Sequence, residues 1–267
     1  MMLGLRRHAR LLWLYFKQYA KARLEYRADF FSAVIASFLG TAASFAFLLI
    51  VFSRVPALKG WKFEEMVFLY GFSLIPVGIF NVFSWNLWMF ADRYLIEGRF
   101  DRVLLRPVSS MFQVLFESFR LESLESIVTG LVAVVWSATR LGIRFSAVDV
   151  VLFAVWATSG GVIYLAIFIG LTATSFWIED RIGVSPPVFN LMQFGRYPLT
   201  IYDSWVRFAL SFVIPFAFAS FYPTARFLHR PEFGAYFWAV PFVAAVSLSI
   251  SLLLWKTGVA RYHSTGS

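Results

Sequence analysis

Residues 91–113 run ADRYLIEGRFDRVLLRPVSSMFQ, a charged and sharply punctuated stretch between two long apolar runs. Asp92, Arg93, Glu97, Arg99, Asp101, Arg102 and Arg106 crowd into it, although the chain as a whole is only 15% charged. The stretch therefore sits in water or against another protein while its flanks do not. Leu95, Phe100, Val103, Leu104 and Leu105 alternate with the charges, so a short helix from about Phe100 to Leu105 would carry one apolar and one polar face. Gly98 permits a tight turn before that helix and Pro107 stops it. From the residues alone two readings stay open: a solvated connection between spans, and a docking element through which a partner pushes on a membrane domain.

The rest of the chain fits a membrane domain. Of 267 residues, 60% are hydrophobic and 20% aromatic, and apolar runs of about twenty residues recur along the length. An excess of 24 Lys+Arg over 15 Asp+Glu raises nucleic acid as a partner, but the cations lie between the apolar runs, where they set membrane orientation. Nucleic-acid binding is not expected. With no Cys there is neither disulfide nor thiolate metal site. Arg6, Arg7 and Arg10 precede an apolar patch that Lys17 interrupts, so no cleaved signal is expected there.

The fold class expected is an all-α polytopic membrane protein with six transmembrane helices. Residues 1–29 are expected to hold an amphipathic helix on the membrane surface. Leu5, Leu12, Phe16 and Tyr19 share one face and Arg6, Arg10, Lys17 and Lys21 another. Residues 30–267 are expected to form the membrane domain, with a cytoplasmic loop over 91–120. Its first span is expected at Phe30 to Phe52, where Ala36, Gly40 and Ser44 make a small-residue stripe open to close helix approach. The second runs from Met66 to Phe90 and carries Asn81, Trp85 and Asn86. Carboxamides at that depth either line a substrate path or hydrogen-bond between helices. Glu117, Arg120, Glu122 and Glu125 lead the third span, Ser126 to Ala138, out of the membrane as a projecting helix. The fourth covers Val148 to Ile178, where Gly160 and Gly161 either kink the helix or admit close packing. For the fifth, hydropathy selects Trp205 to Phe221. Alternatively Val184 to Leu199 crosses and Trp205 to Phe221 dips in as a re-entrant hairpin. The last span is Ala235 to Trp255.

Seven Lys and Arg precede the first span and five lie in the central loop up to Arg120, against seven in the opposite loops. That asymmetry puts both termini and the central loop in the cytoplasm. No chemistry of catalysis is legible. His8, His229 and His263 are scattered, no phosphate-cradling glycine loop occurs, and Asp and Glu fall at span ends or in loops. Without an ionisable relay inside the bilayer, energy for transport must come from elsewhere.

LIEGRFD at 95–101 followed by LLRPVS at 104–109 resembles the glycine, aspartate and Leu-x-Arg-Pro pattern of ATP-binding-cassette (ABC) type-two permeases, in the daunorubicin- or multidrug-permease-like branch. LEYRADF at 24–30, RYP at 196–198, VIPFA at 213–217, YP at 222–223 and the tail RYHS at 261–264 with a final GS add to it. The resemblance implies a six-span exporter subunit, not itself catalytic, whose cytoplasmic coupling helix between spans two and three docks on a separate ATPase. That role falls on Glu97, Gly98, Arg99, Phe100, Asp101, Leu104, Leu105, Arg106 and Pro107. It further implies a re-entrant element between spans five and six, two ATPase copies holding ATP and Mg, a second permease chain, homologous or identical, and residence in the plasma membrane (bacterial inner membrane). An amphipathic, lipid-like or drug-like cargo is expected. Asp203 stands where the pattern has a proline, which leaves the start of the hairpin open. The alternative is a self-sufficient membrane protein, a secondary carrier or assembly scaffold, with no ATPase partner.

Overall fold

The computed structural model describes residues 10–19, 21, 27–178 and 185–263. Residues 10–19 are helical. Helix α1 then spans Arg27–Arg54 and α2 Phe63–Trp88; a π-helical turn, Ala91–Ile96, leads into the short α3, Arg99–Leu104, and α4, Ser110–Phe116. Helices α5, Leu124–Leu141, and α6, Ala147–Ala173, follow. Four short helices, α7 (Ser185–Met192), α8 (Ser204–Phe208), α9 (Phe216–Ala219) and α10 (Phe221–Phe227), make a broken segment before α11, Gly234–Arg261. No β-strand occurs among the described residues. Five stretches there are long and apolar enough to cross a membrane: Arg27–Arg54, Phe63–Ile96, Leu121–Leu141, Ala147–Phe176 and Pro231–Arg261. Four of them contain an expected apolar run and extend beyond it at both ends, because hydropathy marks only the part suited to hydrocarbon while the helix continues into the headgroup zone; the other, Ala147–Phe176, stops short of the expected end at Ile178.

Helix α2 is the axis of the bundle, apolar and buried all round, with α5 and α6 packed along it and α11 packed along α6. Lipid is as apolar as leucine, so such helices are held by close fit more than by escape from water. The fit is tight at glycines. A Cβ on Gly130 of α5 would lie 2.5 Å from the Gly71 carbonyl oxygen of α2, and one on Gly71 would lie 2.7 Å from the Ala133 Cβ. A Cβ on Gly160 would overlap the Ala219 carbonyl oxygen and stand 2.9 Å from the Pro76 Cβ. Helix α6 runs unbroken through Gly160 and Gly161, so the pair serves packing and not a kink.

Helix α1 is different. Only 11% of its most apolar window is buried, and Gly40 has nothing within 4 Å of where a Cβ would be. At Gly40, in the middle of the stripe of Ala36, Gly40 and Ser44, no other helix approaches among the described residues. A hydrogen bond from Ser37 to Glu125 (2.8 Å) and a ring contact between Phe45 and Tyr70 (5.0 Å) tie α1 to the bundle.

The helix expected to project through Glu117 and Arg120 is interrupted. Helix α4 stops at Phe116, and a 3₁₀ turn, Leu121–Ser123, precedes α5. The break is stabilised from α2: the Arg120 N–H donates to the Val82 carbonyl (3.0 Å) and the Ser118 hydroxyl to Asn86 (2.8 Å).

The broken segment has a defined path. Near its start Phe189 lies edge-on to Trp88 (4.8 Å), at the end of α2; farther on, the Trp61 indole donates to Thr200 (2.8 Å) and Lys59 to the Ile201 carbonyl (3.1 Å), at the beginning of α2. Residues 185–201 therefore join the two ends of the bundle; Val184 lies outside the described residues. The 3₁₀ turns Gln193–Arg196 and Leu199–Ile201 stretch this short piece, rising about 2 Å per residue. From Ser204 the chain turns back: Phe216 is fully buried against Tyr164 (5.4 Å), Ser220 donates to the Gly195 carbonyl, and Phe221 returns to Trp61 (5.9 Å). Arg226 then reaches Asp149 at the start of α6 (3.6 Å), and Arg230 reaches Glu65 at the start of α2 (3.0 Å).

Candidate functional site

The central stretch gathers where α2 ends. Beyond Trp88 the π turn Ala91–Ile96 holds one residue more per turn than an α-helix, which shifts the side-chain register and turns Tyr94 inward. Its hydroxyl donates to the Glu117 carboxylate. Gly98 then adopts φ +67°, a left-handed conformation that a Cβ would strain, and α3 starts at the next residue, one place earlier than the pattern suggests.

A six-residue helix has no stability of its own in water. Packing supplies it. Phe100 is fully buried in a cage of rings: Phe90 at 5.6 Å, Phe176 at 5.4 Å, Trp255 at 6.1 Å and Tyr262 at 5.0 Å. Those rings come from the ends of α2, of the 3₁₀ turn after α6, and of α11. From α4 the buried Gln113 donates to the carbonyls of Val103 and Val108 (2.9 Å each), so the end of α3 and the turn around Pro107 have their acceptors filled. The Trp255 indole also donates to Ser110 (3.1 Å).

The other side of α3 faces out. Leu104 is 45% and Leu105 84% exposed, and Glu97 pairs with Arg99 at 2.8 Å on the surface. Arg102, Arg106 and Pro107 are exposed, and Asp101 and Gly98 are half-buried. A cavity of about 160 Å³ opens beside them, lined by Tyr94, Arg99, Arg102, Val103, Arg106 and Glu117. Phe100, one of the residues expected in the docking role, is fully buried and offers no surface of its own, whereas Leu104 and Leu105 do. Packing covers Phe100 and Val103 and leaves Leu104 and Leu105 as the exposed apolar pair, although Leu104, four residues on, neighbours Phe100 on the helix surface.

The three residues expected on a substrate path separate. Asn86 is fully buried and engaged, donating to the Val114 carbonyl (2.8 Å) and accepting from Ser118 (2.8 Å) and Arg93 (3.4 Å). It ties α2 to α4 and does not face a path. Trp85 is 40% exposed beneath the Arg120 guanidinium (4.9 Å), and Asn81 is half-buried. The N-terminal helix over 10–19 packs at this same end, Phe16 and Tyr19 both against Phe119 (5.8 and 5.9 Å), with the apolar face predicted; Leu5 and Arg6 lie outside the described residues.

The ring cage had no local sequence signal, since its members come from positions up to 172 residues apart. Gln113 was detectable only as an amide at the edge of an apolar run. A family model described as "ABC-2 family transporter protein" matches residues 38–266. No curated protein and no solved structure matches the chain. The matched residues include α3 with its cage and every long helix but the start of α1, and the chain therefore belongs to the ABC-2 family of transporter proteins, which are membrane components of ABC transporters.

Proposed function

We propose that this chain is the permease subunit of an ATP-driven exporter for an amphipathic, lipid-like or drug-like substrate, with α3 as its coupling helix. Two copies of a separate ATPase carry the ATP and Mg, and a second permease chain, identical or homologous, completes the membrane part in the plasma membrane. The observation that carries this reading is the two-sided character of α3, which offers Leu104, Leu105, Arg102 and Arg106 to the aqueous side while Phe100 grips the ends of three long helices. A force applied to the outer face reaches α2, the end of the fourth span and α11 together.

The path of residues 185–201 supports them as the fifth crossing, with 204–227 as a re-entrant hairpin and α11 as the sixth span. In that layout both termini, the 10–19 helix and the loop over 91–120 share the cytoplasmic side. Exposed apolar contact supplies docking affinity, and Glu97, Arg99, Asp101 and Arg106 set register by charge. The test is ATP hydrolysis by the complex purified with its own ATPase. Asp101→Lys, or Leu104→Glu, removes the permease's effect on ATPase rate while membrane insertion is unchanged. A rate equal to that of the unmodified complex overturns the assignment of α3.

A further inference from the structure

Among the described residues, Arg196 is a cation with no carboxylate in salt-bridge range, at the depth of the membrane-spanning helices. It lies beside Tyr70, about 10 Å inside the start of α2 at 1.5 Å per residue. Among the described residues no carboxylate comes within 4.0 Å of it, whereas Arg226 and Arg230, at the aqueous end, have Asp149 and Glu65. Its contacts are a long hydrogen bond from Nη1 to the Tyr70 hydroxyl (3.4 Å) and the face of the same ring at 5.8 Å. Its Nε is buried with no acceptor. Close by, the fully buried Tyr164 hydroxyl has no hydrogen-bond partner among the described residues, and the Ser220 hydroxyl near it donates to the Gly195 carbonyl. Two polar groups with hydrogens to give are thus held around one small region.

That arrangement is costly in an empty state. An arginine within a span costs several kcal/mol unless it is paired, and a buried donor without an acceptor adds to this. The region is reachable from the side. Leu191 is 38% and Phe194 43% exposed, Arg196 itself is half-buried, and the Tyr70 ring that carries it also carries Phe45 of the loosely attached α1. Leu191 and Phe194 give this surface apolar side chains that suit a hydrocarbon tail, beside the exposed amide of Gln193, and the charge at its end is positive.

We propose that Arg196, with the Tyr164 hydroxyl, forms a binding site for the anionic headgroup, phosphate or carboxylate, of an amphiphile whose apolar tail lies along residues 191–194 and α1. The headgroup oxygens accept from Nε and the free guanidinium hydrogens, a charge-assisted geometry that the chain leaves open. The proposal deepens the exporter reading by naming the charge of the cargo, and it rests on that reading only for whether the bound molecule moves. A resident bilayer lipid and an exported amphiphile share this chemistry.

The test uses the full complex purified with its ATPase in phosphatidylcholine nanodiscs, with radiolabelled dodecyl phosphate as probe and dodecyltrimethylammonium as the cationic control. Arg196→Gln should weaken dodecyl phosphate binding roughly tenfold or more, Arg196→Lys should retain part of it, and Tyr164→Phe should lose a few-fold, with no weakening for the cationic probe. Binding accompanied by a change in ATPase rate identifies exported cargo, and binding without one identifies a resident lipid; both support the site. Equal binding by Arg196→Gln overturns it, as does loss of complex assembly in Arg196→Gln and Arg196→Lys alike, which would assign the position to a second permease chain. If no ATPase co-purifies, the exporter reading fails while the binding comparison on the permease alone still decides the site.

Discussion

Phe100→Ala separates the two faces of α3. Phe100 is fully buried and meets four rings within 6.1 Å. Truncating a buried phenylalanine costs about 3–5 kcal/mol through lost contacts and the cavity left behind. Four aromatic pairs at about 0.5–1.5 kcal/mol each are consistent with the upper part of that range. Because Phe100 is the larger of the two buried side chains of α3, with Val103, and α3 is only six residues long, the loss falls on α3 first and on the bundle second. Thermal unfolding in detergent should show a lowered midpoint, and protease cleavage between Glu97 and Pro107 should speed up well before global unfolding. In the complex, the ATPase still associates through Leu104 and Leu105, yet its rate no longer responds to the permease. Phe100→Leu keeps most of the volume and costs about 1.5 kcal/mol, so it should restore most of the response. The reasoning is refuted if Phe100→Ala leaves both cleavage rate and ATPase response as they were, or if Phe100→Leu is as damaging as Phe100→Ala.

Leu105→Asp, at a side chain 84% exposed, should leave thermal stability within about 0.5 kcal/mol while abolishing recovery of the ATPase on affinity purification. Gly160→Ala forces a methyl group onto the Ala219 carbonyl and should cost about 1–3 kcal/mol, read as a lowered unfolding midpoint. Since the chain has no native cysteine, Leu105→Cys and Lys59→Cys give clean reporters: a membrane-impermeant maleimide added to intact cells should label the second and spare the first.

The long helices were legible because each is a run of apolar residues with charges at its ends, a signal that survives any packing. The α3 turn was legible for a related reason: Gly98, the following amphipathic pattern and Pro107 are all local. The inward side of α3 was harder. Phe100 and Leu104 are both large and apolar, and only the position of Phe176, Trp255 and Tyr262 decides which of them is covered. Asn86 illustrates the same limit, since a carboxamide in a span looks alike whether it faces a path or a neighbour's carbonyl. The break at Glu117 to Arg120 depends on the Val82 carbonyl and Asn86 accepting from a chain 32 to 38 residues away, so helical charge spacing alone points to a continuous helix. The region from Ser185 to Phe227 mixes α, 3₁₀ and π turns around Pro198 and Pro215, and no single period describes it.

Backbone-to-backbone contact at Gly71, Gly130 and Gly160 has a mechanical consequence. Helices that meet through side chains slide by changing rotamers, but helices that touch main chain to main chain have no such slack. The α2 and α5 pair therefore has little freedom to slide, and α6 is pinned in the same way to Ala219 of α9. On the proposed coupling role of α3, strain delivered through it would be relieved elsewhere, along the flank where α1 is held by the Ser37 hydrogen bond and the ring contacts of Phe45 and Phe52, and where residues 185–227 abandon regular helix. A crevice opened there would run past Arg196, which shares the Tyr70 ring with Phe45 of α1.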